Sequence, residues 1–129
     1  MVRGDTFPWR PKVVGRQVIY LDNHSGTTYR DVRVYRFDGE RAHFAYGPID
    51  RHLTGDPQYS VLDIATSGGA AYLINRRHQV LSSTDLVEWR VRATFTGATG
   101  ESATSIAVNG DDVYVGTSLA NIYTLKMSK

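Results

Sequence analysis

Cysteine is absent from the chain, so neither a disulfide framework nor a thiolate metal site is available, and the fold must hold by packing alone. Long apolar runs are missing too. None approaches the roughly 20 residues that span a bilayer, and MVRGDTFPWRPK lacks the apolar centre of a secretory signal. These absences predict a chain made in the cytoplasm, without membrane insertion, and leave its final location unassigned. Positive charge is not clustered: the formal net charge is +2, and the basic residues, overwhelmingly arginine, lie scattered among aspartates. That balance predicts no nucleic-acid surface. Glutamate is scarce, with only Glu40, Glu88 and Glu101, each in or beside a turn signal where a solvated position is expected. No helical stripe of useful length occurs either.

What the chain does contain is short β-type segments with turn chemistry between them. RQVIYLD reads as a strand and NHSGTT as a loop. YRDVRVYRF alternates, Asp38-Gly39 signals a hairpin turn, and RAHFAY returns. GPIDRHLTGDPQ carries Pro48, Gly55 and Pro57 without periodicity and reads as a loop or boundary. Beyond it, VLDIAT, AAYLIN, HQVLSS and WRVRATF form four short strands, the antiparallel meander of a propeller blade.

A repeat follows at an offset of 42 residues, which places Ile64 on Ile106, Ala65 on Ala107, Gly68 on Gly110, Tyr72 on Tyr114 and Val80 on Ile122 without a gap. Blades recur at roughly 40 to 50 residues. Tyr72 and Tyr114 are therefore expected in the core. The second copy has three strands, TSIAV, DVYVGT and NIYTLKM, and leaves an edge to be closed by PKVVGRQVIYL or by another chain. The expected fold is thus all-β, an antiparallel meander of propeller-like blades that is incomplete as a single chain. Residues 1–12 form an irregular N-terminal arm, 13–58 a β-hairpin layer or degenerate blade, and 59–129 two propeller-like blades, in one compact domain.

SSTDLVEW carries the most specific local signal. The short Asp85 carboxylate can accept hydrogen bonds from backbone N–H groups of a turn, while Trp89 covers apolar surface between blades. With Ser83, Asp85, Leu86 and Trp89 as matching positions, the stretch resembles the S-x-D-L-x-x-W strand–turn–strand element of five-bladed propeller glycosidases. One residue short and lacking its glycine, it is also similar to the Asp-box of sialidase-like propellers. The resemblance implies a structural turn. Catalysis in such glycosidases needs a controlled carboxylate pair, and no catalytic motif of theirs matches here; Asp63 is the one acidic residue inside an apolar strand.

Other chemistries find little support. His24, His43, His52 and His78 form no pair at metal-ligand spacing, and neither G-x-S-x-G nor a phosphate loop occurs, so no metal, cofactor or catalytic residue is expected. The NHS and RGD triplets, at 23–25 and 3–5, are short enough to arise by chance. Two places invite binding. Arg76, Arg77 and His78 lie at a hairpin tip and suit a carboxylate, an acidic glycan or a neighbouring subunit. Trp9, between Pro8 and Arg10, reads as an anchor on another surface.

The sequence therefore predicts a non-enzymatic structural or docking β-module, a homo-oligomer or a subunit of a larger assembly. By analogy of style the assembly is a bacteriophage virion, in a tail tip, fibre or capsid decoration. The alternative is a carbohydrate-binding, lectin-like propeller closed by oligomerisation, with glycan as ligand. A glycosidase-like enzyme and a regulatory binder such as an immunity protein or inhibitor stand behind these two.

Overall fold

The computed structural model describes residues 6–24, 30–38, 41–46 and 60–127. Regular structure among them is entirely β, and every strand pairing is antiparallel. A first sheet runs β1 (Thr6–Val14), β2 (Gln17–His24), β3 (Arg30–Asp38) and β4 (Arg41–Tyr46). The second contains β5 (Val61–Ser67), β6 (Ala70–Asn75), β7 (Gln79–Ser83) and β8 (Arg90–Thr94). The third has three strands, β9 (Ala103–Asn109), β10 (Asp112–Thr117) and β11 (Ile122–Lys126). Each sheet is a simple meander in chain order.

The 42-residue offset recurs in the geometry. It carries the bounds of β5 onto those of β9 and the bounds of β6 onto those of β10. Gly68 and Gly110, in the matching hairpin turns, have φ of 58° and 63°, a left-handed conformation that glycine adopts without Cβ strain.

The N-terminal stretch departs from expectation. Residues 6–14, placed largely in an irregular arm by their prolines, form strand β1, which pairs with β2 from Thr6↔His24 to Val14↔Gln17. Two features accommodate the prolines. β1 is the edge of its sheet, where a missing N–H on the open side costs nothing, and a register shift between Trp9 and Lys12 surrounds Pro11. The boundary at residue 12 therefore falls inside a strand. Asn23 and His24, read as loop, end β2. Gly39, Glu40, the 47–58 loop, the RGD triplet, Ser25 of NHS and His52 lie outside the described residues.

Two apolar clusters lie on opposite faces of the middle sheet. Ala71, Leu73 and Leu81 pack with Ile19, Leu21 and Val34 of the first sheet. Ala70, Tyr72, Ile74 and Val80 pack with Ile106, Val113 and Val115 of the third. Burial on both faces explains why AAYLIN is apolar at successive positions instead of alternating. β10 alternates strictly, because only one face of its sheet meets the core. Tyr114 is consequently not a core residue: unlike buried Tyr72, it is half-buried, on the opposite side from Val113 and Val115.

The first strands of successive sheets are neighbours, β1 beside β5 and β5 beside β9. Asp63 fastens the second junction. Only 5% exposed, its carboxylate accepts the Ile106 amide of β9 at 2.9 Å. This inward-facing acid within an apolar strand joins two sheets.

Candidate functional site

The Ser82–Val91 region is built as a closed hydrogen-bonded turn. Asp85 Oδ1 accepts the amides of Val87 and Glu88 at 2.9 and 3.0 Å and the Ser83 hydroxyl at 3.0 Å. Ser83 Oγ in turn accepts the Leu86 amide at 2.8 Å. Donation from the Glu88 and Val87 amides holds the Asp85 carboxyl below its ordinary pKa. The network forces Leu86 to a φ of 63°, which costs a non-glycine residue about 1–2 kcal/mol. Full burial of its side chain in the first core, worth about 1.5–3 kcal/mol, offsets that strain. A glycine here would relieve the backbone but lose the anchor. Trp89 packs against the same cluster.

Beside this turn lies an open groove of about 730 Å3. Trp89, Arg90 and Arg92 line one part of it, with Ser82 and Glu88 nearby, and Asp111 from the β9–β10 turn completes it. The Arg92 guanidinium donates to the Ser82 hydroxyl at 3.0 Å. Aromatic surface, two cations and carboxylates thus meet between the second and third sheets. The resemblance of the turn motif assigned Trp89 a structural role only, and the arginines follow it at alternating positions of β8, a pattern legible as an edge strand but not as a groove.

The four expected binding residues do not form one cluster. Trp9 sits in β1 opposite Leu21. Arg76 and Arg77 are exposed in the β6–β7 turn, which buried Asn75 caps by accepting the Arg77 and Gln79 amides at 3.0 and 3.1 Å. His78 has a structural place: its Nε2 accepts the Ala103 amide at 3.2 Å, its carbonyl accepts the Phe95 amide, and its ring meets Phe95 edge-on at 5.1 Å.

Glu101 differs most from its expected solvated position. It is 5% exposed, and each carboxylate oxygen accepts two donors. Oε2 takes the Thr117 hydroxyl at 2.6 Å and the Asn121 amide at 2.9 Å; Oε1 takes the Ala98 N–H and the Tyr123 hydroxyl, both at 2.9 Å. Led by the Thr117 hydroxyl, these donors lower its pKa from 4.5 to about 2. The Tyr123 hydroxyl is correspondingly pushed up by donating to the carboxylate. Gly97 leaves room for this arrangement, since a Cβ there would lie 2.8 Å from both Glu101 Oε1 and Phe95 Cζ.

The third sheet has two dissimilar edges. β9 is flanked by β5 and fastened by Asp63. Among the described residues no strand pairs with the far side of β11, and PKVVGRQVIYL, the candidate for closing it, is engaged in the β1–β2 hairpin. The Met127 amide donates to the Asp111 carbonyl and the Asn121 carbonyl accepts from Thr117, both towards β10. Period-two alternation therefore turns the backbone groups of Ile122, Thr124 and Lys126 towards the open edge. Ile122 is 77% exposed, neighbouring Leu119 is 54% exposed, and Tyr123 and Leu125 reach the second core half-covered.

Among the described residues no group of three or more histidines, cysteines, aspartates or glutamates is placed to hold a metal ion. Comparison with family models, curated proteins and solved structures finds no match to this chain.

Proposed function

We propose that this chain is a non-catalytic docking module of a larger assembly, built of propeller-like blades, whose last sheet accepts a strand from another chain along β11. The observation that carries the reading is the coincidence on one strand of backbone groups without a strand partner among the described residues, an exposed isoleucine and two half-covered core residues. Natural sheets usually blunt such an edge with charge, proline or a covering segment. β8, the outer strand of the second sheet, shows that protection in Arg90 and Arg92, whereas β11 carries only Lys126 at its end. The non-enzymatic part of the reading is supported by how Asp63, Asp85 and Glu101 are used: each accepts donors that belong to the fold. A bacteriophage virion, at a tail tip, fibre or capsid surface, is the assembly favoured by analogy.

The test is backbone amide exchange, followed by nuclear magnetic resonance, with a synthetic peptide copying residues 121–127 in excess. Strand addition is expected to slow exchange at Ile122, Thr124 and Lys126 selectively. Protection elsewhere, or none, would sink the reading.

A second reading, carbohydrate binding, is favoured by the groove, because an aromatic residue beside arginines and carboxylates suits a sugar ring and its hydroxyls. In a Trp9→Phe background, oligosaccharide titration is expected to change Trp89 fluorescence saturably and to lose at least about tenfold in affinity on Arg92→Ala. A flat titration with neutral and acidic glycans alike would remove it.

A further inference from the structure

We infer that the occupant of the β11 edge is a second copy of this chain, paired antiparallel about a two-fold axis at Thr124. The inference rests on the docking reading and names its partner. In an antiparallel ladder, residues whose backbone groups point at the partner must oppose residues that do the same. Ile122, Thr124 and Lys126 are those residues, so only a few registers are open. One of them overlaps the whole strand: Thr124 opposite its own copy, and Ile122 opposite Lys126 of the other chain.

That register is also chemically self-complementary. It places Tyr123 opposite Leu125 of the second copy on the core-facing side, twice, so the half-covered edge of the second core continues into its counterpart. On the other face Ile122 lies along the aliphatic stem of Lys126. The strand's only charge meets no like charge, because the two lysines sit about 13 Å apart along the pair. Lys126 is already matched by Asp112 at 2.6 Å within its own sheet. The same operation about the middle of β8 would set the Arg92 guanidinium against its own counterpart. The chain thus has one outer strand suited to pairing with itself and another unsuited to it.

The absence of native cysteine permits a register-specific test. Opposed residues of a hydrogen-bonded pair have Cα atoms about 5.5 Å apart, within the range a disulfide spans. Under mild oxidation Thr124→Cys is expected to crosslink to twice the 14.4 kDa chain mass, while Ile122→Cys and Lys126→Cys, each far from its own copy, crosslink at least about tenfold more slowly. Light scattering across a concentration series should show the wild type approaching that doubled mass, and Ile122→Lys, which sets lysine against Lys126 of the second copy, remaining at the chain mass with an unchanged circular dichroism spectrum. Equal crosslinking at all three positions, or a wild-type chain mass at every concentration, overturns the inference. If the wild type is monomeric yet the 121–127 peptide still protects the three edge amides, docking stands and the second copy is not the partner. If the peptide also leaves them unprotected, both fail.

Discussion

Glu101→Ala lowers the melting temperature by roughly 5–10 °C, the size expected when a buried hydrogen-bond network in a small domain loses its centre. The side chain ties three segments together: the Ala98 loop, Thr117 at the end of β10, and Asn121 and Tyr123 at the start of β11. Alanine leaves four donors facing a void. Glu101→Gln is milder because it keeps one oxygen and the Thr117 and Tyr123 hydroxyls can rotate, but its NH2 group must face donors that a carboxylate accepts. The two variants also separate in acid. With a folded pKa of about 2 against an ordinary 4.5, the glutamate contributes stability that is fully present above the ordinary value and lost as pH falls towards 2. Thermal melts at successive pH values between 5 and 2 should therefore show a smaller acid-induced decline in Glu101→Gln than in the wild type. An unchanged slope would mean that the carboxylate is not held by these donors in solution.

Asp63→Leu is expected to cost about 1–3 kcal/mol, because the Ile106 amide is left buried and unpaired at the junction of the second and third sheets. Asp63→Asn retains an acceptor and should lose less than about half of that. Urea unfolding measures the difference, and exchange of the Ile106 amide locates it. The leucine variant should speed that amide before others in β9. Equal costs for the two substitutions would argue that side-chain volume, not the hydrogen bond, joins the sheets. Loss of a hydrolytic activity in Asp63→Asn with the fold intact would instead make this carboxylate catalytic.

Most strands were legible because turn residues bound them, whether the strand alternates like DVYVGT or is apolar throughout like AAYLIN. AAYLIN and DVYVGT begin where the glycine turns at Gly68 and Gly110 end, and their extents coincide with β6 and β10. β1 was hidden because prolines signal irregularity unless it is known that the strand will lie at an edge. The Asp85 turn could be read locally, since donor and acceptors lie within a few residues. Glu101 could not: three of its four donors come from Thr117, Asn121 and Tyr123, brought to it by the third sheet's own meander. The acceptor role of His78 was hidden for the same reason, as it depends on Ala103. The groove escaped because Asp111 and Trp89 belong to different repeats.

The outward face of the third sheet explains why few residues match at the 42-residue offset although the strand bounds do. Where Ala70, Tyr72 and Ile74 cover a neighbouring layer, the matching positions are Asp112, Tyr114 and Gly116. Strand lengths and turn glycines match at this offset, while the chemistry of this face differs because it does not meet the core. Terminal units of repeat proteins carry a hydrophilic cap on such a face. The proposed pairing along β11 therefore adds its second copy sideways, at the margin of the third sheet, and leaves the face that carries Asp112, Tyr114 and Gly116 to water.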